Sequence, residues 1–160
     1  MVDVCNLMEK VREAQLGIES VFQTHHPNKC YAAYSGGKDS KAVLLLVKSV
    51  YPNVTVIHNG HEGESIGSQD GVLCVKEPKA ENVPQFLSLV DLELQFDGTR
   101  KDEDKTVIFD GEEIHRSKMP GDYTSNGVFG LAMFYPLFSW TEEEVFAFLE
   151  LAKEFNITKF

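Results

Sequence analysis

A three-layer α/β sandwich with a mainly parallel sheet is the fold class this sequence predicts, and three observations carry it. Strand-like segments alternate with helical ones along the chain. The first and last segments are amphipathic helices with defined apolar faces. The polar clusters "SGGKDS", "HNGHEGE" and "DGTRK" each follow a predicted strand. Ligands in such folds bind outside the carboxyl ends of the strands.

Leu7, Val11, Ala14, Ile18 and Val21 recur at spacings of four and three, which is one face of a helix. "HHPNK" ends it, since Pro27 cannot continue a helix. "CYAAY" then reads as a short buried strand running into "SGGKDS". "KAVLLLVKSVY" is apolar on most sides and predicts a helix packed inside the domain. "NVTVIH" is β-branched, bounded by Pro52-Asn53 and Asn59-Gly60, and reads as the second strand. "GVLCV" is the third candidate. Asn82 is placed to cap a helix with Pro84 in its first turn, running through "QFLSLV". "LELQF" alternates as a strand does. "TVIFDGEEIH" sets Asp110-Gly111 between apolar residues, a hairpin signal. "GLAMFYPL" is the late strand. The last helix opens on Thr141 with Glu144 three residues on, a capping box, and Val145, Phe148, Leu149 and Ala152 form its apolar face.

The 160 residues fit a single domain, 1–160, long enough to fold without staples. No run is long and apolar enough for a membrane span, and "MVDVCNLMEKVREAQ" is charged where a signal peptide is apolar. The expectation is a soluble cytoplasmic protein. Cys5, Cys30 and Cys74 are odd in number and widely spaced, which argues against disulfide and zinc frameworks and for small buried apolar groups. The formal net charge of −10 does not attract a nucleic-acid backbone non-specifically. It also repels a free nucleotide, so a phosphate site must concentrate local positive charge.

"SGGKDS" stands where a strand hands over to a helix. Helix N-terminal amides lack internal partners, and the dipole there favours anions. Gly36 and Gly37 allow backbone shapes and close approach that other residues do not. Ser35 and Ser40 add hydroxyls, and Lys38 adds charge. The loop is not a Walker A motif, because Asp39 follows Gly37-Lys38 and Ala32 stands where the first glycine would be. On these residues alone, a tight structural turn and a phosphate cradle both remain open.

Ser35 to Ser40 resembles the pyrophosphate-binding loop of the PP-loop ATP pyrophosphatases, the adenine nucleotide alpha hydrolase superfamily. "FDGTRKDEDK" is similar to the Gly-x-Arg-Arg/Lys-x-Asp/Glu-Glu segment of its sulfonucleotide branch, which holds phosphoadenosine phosphosulfate (PAPS) reductases and the catalytic subunit of bacterial ATP sulfurylase. "YPLFSWTEEEVFAFL" resembles that branch's Pro-Leu-x-x-Trp-Thr-x-x-Asp/Glu-Val pattern, and "HNG" stands where the family has Asp-Thr-Gly. The resemblance implies an adenine nucleotide alpha hydrolase-like fold and an adenine nucleotide as ligand: ATP, or PAPS or adenosine phosphosulfate. It implies that Ser35, Gly36, Gly37, Lys38, Asp39 and Ser40 form the anion loop with Gly98 opposite. Arg100 and Lys101 complete the loop, and main chain at Ala33, Tyr34, His58 and Asn59 holds the adenine. Lys38, Arg100 and Lys101 are the candidate catalytic cations. Asp39 is a candidate either for Mg²⁺ or for orienting the loop, and Trp140 is read as packing.

No cysteine follows Cys74, so attack by a late Glu-Cys-Gly thiol, as in PAPS reductases, is not expected. The stretch between "HNG" and "DGTRK" is short, which leaves an acceptor pocket to be remodelled or supplied by a protein partner or a second copy of the chain. His58, His61, Glu62 and Glu64 are close in sequence but lack a ligand spacing, and a polar lid is the preferred reading.

Overall fold

The computed structural model describes residues 2–59, 72–75, 92–103, 106–109, 112–115, 125–126 and 132–154. Helix α1 spans Val4–Thr24, with Asp3 as its cap, accepting from the Cys5 amide at 2.9 Å. The predicted stripe of Leu7, Val11, Ala14, Ile18 and Val21 is its buried face. Cys5 falls off that stripe and is exposed, unlike Cys30, which is buried; the expectation of uniformly buried thiols is corrected here. Burial pushes the Cys30 thiol up to about 12, with Glu93 adding to it, so this sulfur stays protonated and inert. After a short 3-10 turn at Pro27–Lys29 comes β1, Cys30–Tyr34.

Helix α2, Lys38–Val50, carries β1 over to β2, Thr55–Asn59, its parallel neighbour. Every residue from Ala42 to Val47 is buried, as its nearly all-round apolar sequence predicts. Strand β3 is Val72–Val75 and β4 is Leu94–Phe96. Strands β5, Thr106–Phe109, and β6, Glu112–His115, pair antiparallel with Phe109 opposite Glu112, so the expected hairpin partners do pair. Strand β7 is Ser125–Asn126 and β8 is Ala132–Phe134. The main sheet runs β3-β2-β1-β4-β8-β7, parallel throughout except for β7 at the edge. This is the α/β class with a mainly parallel sheet. The helix expected from Asn82 lies outside the described residues, as do positions 61–64 of "HNGHEGE". Among the described residues no helix is long and apolar enough to cross a membrane.

Alternation along the strands sorts the sheet's two faces. Cys30, Ala32, Val56, Leu94, Phe96 and Phe134 join α1, α2 and the last helix, α3 (Glu142–Glu154), in one core. Tyr31 and Ile57 point the other way and are buried too. On that side Tyr135 and Phe138 form a smaller cluster with Met133 and with Ile114 of β6. Trp140 is buried and packs edge-on against Phe148 at 5.6 Å, in keeping with a packing role.

The capping box at α3 is formed in full. The Glu144 amide donates to Thr141 Oγ1 at 3.2 Å, and the Thr141 amide donates to Glu144 Oε1 at 2.9 Å. The same carboxylate takes Lys10 Nζ at 2.7 Å, which ties α1 to α3. Burial alone would push the Glu144 carboxyl up, but the hydrogen bonds from Lys10 and the Thr141 amide outweigh it and hold it below its ordinary 4.5. A carboxyl depressed in the folded state stabilises fully above its unfolded value and loses that contribution as pH falls through the folded one. Unfolding midpoints should therefore drop below pH 4.5 more steeply in the native chain than in Glu144→Gln. At neutral pH, Glu144→Gln should cost about 1 kcal/mol in denaturant titrations. Equal acid sensitivity in the two proteins would contradict this role.

Candidate functional site

Strand β1 lies inside the sheet, with β2 on one flank and β4 on the other, both parallel to it. The chain leaves β1 toward β2 through α2, while β4 comes from later in the sequence. The carboxyl ends of β1 and β4 thus frame a switch point, where crevices open in such sheets. A cavity of about 270 Å³ lies there, the size of a small ligand cleft. Ala33, Tyr34 and Ser35 line it from β1, Asp39 and Ser40 from α2. Gln95, Asp97, Gly98, Thr99 and Glu103 line it from β4 and the segment that follows.

The loop between β1 and α2 is pinned by its own serines. Gly36 turns the chain at φ 87°, a conformation other residues adopt at a cost of roughly 1–2 kcal/mol. Ser40 Oγ donates to Gly37 O at 3.1 Å and accepts from the Ser35 amide at 3.1 Å. With that proton committed, the 3.1 Å contact between the two hydroxyls has Ser35 as donor. Gly37 caps α2 without any side-chain hydrogen bond. The first amides of α2, at Lys38, Asp39 and Ser40, therefore have no acceptor within the helix, and Asp39 and Ser40 line the crevice.

Gly98 comes to the loop from β4. A Cβ at this position would stand 3.1 Å from Asp39 C and Cβ and 3.2 Å from Ser40 N, against main chain that cannot swing aside. Only glycine lets the two segments touch. Gly98→Ala should push the first turn of α2 outward, destabilise the fold by about 1–3 kcal/mol and weaken any ligand held by those amides. Denaturant titration beside ligand calorimetry measures both, and unchanged values in each would contradict the close approach.

Asp97 sets the course of this segment. Its Oδ1 accepts from the Thr99 amide at 3.0 Å and from the Thr99 hydroxyl, and its Oδ2 accepts from Gln95 Nε2 at 2.8 Å. Gln95 Oε1 in turn accepts from the Tyr31 hydroxyl. Burial, with Asp97 nearby, pushes the Tyr31 phenol up, so it remains a donor. The Asp97 amide donates to Phe134 O at 3.0 Å and the Lys101 amide to Phe138 O at 2.8 Å. The "DGTRK" segment thus runs alongside "FYPLF". Tyr31, Gln95 and Glu103 were not expected at the site. Tyr31 and Gln95 sit on the neighbouring strands β1 and β4, while Asp97, Thr99 and Glu103 lie in the segment after β4, where "DGTRK" was expected at the sheet edge.

Arg100 is 5% exposed, and its surroundings are acidic. Nε lies 3.1 Å from Asp39 Oδ1, Nη1 3.0 Å from Asp102 Oδ1, and Nε 3.9 Å from Glu103 Oε1. The Nε–Oδ1 approach is close but off line, so neither atom makes a hydrogen bond there. Lys38 Nζ lies 3.6 Å from Asp39 Oδ2, 3.5 Å from Glu142 Oε1 and 5.6 Å from the centre of the Phe146 ring. Burial pushes the Asp39 carboxyl above its ordinary 3.8, against the pull of Arg100 and Lys38. Both of its oxygens face cations. Among the described residues no group of three His, Cys, Asp or Glu is placed to hold a metal.

The structure brings most of the expected residues together. Ala33, Tyr34, Ser35, Asp39, Ser40 and Gly98 line one crevice, and Arg100 joins it through Asp39 and Glu103, while the Lys38 side chain reaches Glu142 and the Phe146 ring. Tyr34 pairs with His58 in the β1–β2 register, which sets the main chain of His58 and Asn59 beside the same sheet edge. Lys101 is the exception. Its side chain is exposed, and among the described residues no contact joins it to the loop, because its main chain turns outward at Phe138.

The fold and crevice define an α/β protein with a helix N-terminus beside a switch-point crevice. No protein-family model matches the sequence, and no curated protein matches it. In fold it is similar to the NH3-dependent NAD synthetase from Campylobacter jejuni subsp. jejuni NCTC 11168, solved in complex with the nitrate ion. The TM-score is 0.56 at 13% identity, covering 98% of this chain and 75% of that one. At that identity the likeness establishes the fold, which is the adenine nucleotide alpha hydrolase-like architecture expected from the sequence.

Proposed function

We propose that this chain is a PP-loop protein of the adenine nucleotide alpha hydrolase superfamily. It binds ATP at Ser35–Ser40 and acts at the α-phosphate with release of pyrophosphate. The observation that carries this reading is the contact of Gly98 with Asp39 and Ser40, which joins the glycine loop to the "GTRK" segment at the carboxyl ends of β1 and β4. The fold shared with an NAD synthetase supports nucleotide chemistry. Residues 1–160 act here as one nucleotide-binding unit.

Main chain at Ala33, Tyr34, His58 and Asn59 holds the adenine, and the amides from Gly36 to Ser40 take the phosphates. An acceptor oxygen or nitrogen attacks the α-phosphorus, the bond to the bridging oxygen breaks, and negative charge collects on the departing pyrophosphate. Fixed amides together with Lys38 and Arg100 stabilise that charge as it grows. Asp39 orients the two cations. Lys101, at the surface, contributes long-range charge only.

The sulfonucleotide branch is the finer reading, resting on "GTRK" and "PLFSWT", with PAPS and adenosine phosphosulfate as substrates. Thermal-shift ranking of ATP, adenosine phosphosulfate, PAPS, and FMN with ATP separates the branches. A ligand at a hundred times its Kd stabilises by about 2.7 kcal/mol, which is readily seen. ATP is expected to give the largest shift. A larger shift with PAPS moves the assignment to the sulfonucleotide branch, and no shift with any of them overturns the reading. A second reading is a nucleotide-binding module without turnover, favoured by the carboxylates that occupy Lys38 and Arg100. ATP binding with no pyrophosphate released, alone or with a protein partner, would support it.

A further inference from the structure

We propose that Asp102 and Glu142 form an internal carboxylate clamp, which holds Arg100 and Lys38 until a phosphate ligand displaces it. The proposal rests on reading Ser35–Ser40 as a phosphate loop and adds a control on that site.

Both acids meet at the start of α3. Glu142 Oε1 lies 3.5 Å from Lys38 Nζ, and Asp102 Oδ1 lies 3.0 Å from Arg100 Nη1. Asp102 Oδ2 takes Arg100 Nη1 at 3.2 Å and the Glu142 amide at 3.3 Å. One junction therefore reaches both cations. A carboxylate on a guanidinium makes the same charge-assisted contact that a phosphate makes. The two side chains sit in a phosphate's role.

Exposure marks the clamp as the part that gives way. The side chains of Glu142 and Asp102 are 57% and 42% exposed, whereas that of Arg100 is 6% exposed. The acids can turn into water at little cost, and the guanidinium cannot. Arg100 Nε also retains unused donor capacity, since its approach to Asp39 Oδ1 is off line. Asp39 and Glu103 are not part of the clamp. Asp39 belongs to the loop, and Glu103 accepts from the Arg100 amide at 2.9 Å.

The test is calorimetric titration of inorganic pyrophosphate and of ATP into the wild type, Asp102→Asn, Glu142→Gln and the double variant. Glu143→Gln, exposed in the same turn, controls for net charge. Asparagine keeps an acceptor for the Glu142 amide, so the helix start survives, and melting temperatures check that. Each clamp variant should bind pyrophosphate about twofold to fivefold more tightly, the range that exposed ion pairs allow. The double variant should bind more tightly still, and Glu143→Gln should change less. Wild-type binding that neither clamp variant improves, or that Glu143→Gln improves equally, overturns the clamp and leaves the phosphate site standing. No binding of either ligand by any of the proteins overturns the phosphate-loop reading and the clamp with it.

Discussion

Lys38→Ala is expected to slow pyrophosphate release from ATP by about 10²–10³-fold, the usual cost of deleting one donor that serves a transition-state anion. Its unfolding free energy should change by less than about 1 kcal/mol. Lys38 is partly exposed at the first residue of α2, its ion pairs at 3.5 and 3.6 Å are long, and such pairs contribute little in water. Alanine is also the best helix former for that position. A pyrophosphate-release assay beside a denaturant titration separates the two quantities. Turnover within twofold of wild type would remove Lys38 from the mechanism.

Arg100→Ala should behave differently, although sequence alone gives the two cations the same role. Arg100 is buried among Asp39, Asp102 and Glu103. Truncation leaves those carboxylates facing one another without their cation, a change that costs about 3–5 kcal/mol at buried sites. Lost activity in this variant would therefore be accompanied by lost stability. The pH dependence gives a second signature. Burial already raises Asp39 in the folded state, and removing Arg100 takes away its largest downward pull. A carboxyl raised in the folded state binds its proton more tightly there, so folding gains as pH falls toward that value. The deficit of Arg100→Ala should shrink in urea titrations as pH is lowered from 7 toward the raised Asp39 value. A deficit below about 0.5 kcal/mol at pH 7 would show that the carboxylates need no counter-charge.

The sequence reading and the structure agree where a pattern has one physical cause. Five apolar residues at helical spacing in α1 are all buried, and Thr141-x-x-Glu144 closes as a capping box. The Asp-Gly pair separates two paired strands. Strand β7 escaped notice because two residues, Ser125–Asn126, carry no periodicity. At the site, "SGGKDS" and Gly98 were legible through their resemblance to the PP-loop family, since the glycines alone left a structural turn open. Gln95, Tyr31 and Asp102 were not. Tyr31 and Gln95 meet through the β1–β4 register, and Asp102 meets Glu142 across the fold. "TRKDE" reads as a basic patch followed by acids, yet the turn after Arg100 folds Asp102 and Glu103 back onto its guanidinium.

On the proposed function, ATP phosphates lie on the first turn of α2. Titrating ATP into ¹⁵N-labelled protein and following each amide tests it most directly. The largest shifts are predicted at Gly36, Gly37, Lys38, Asp39 and Ser40, with Gly98 and Arg100 moving alongside them. Shifts confined to other surfaces, or none at saturating ATP, would contradict it.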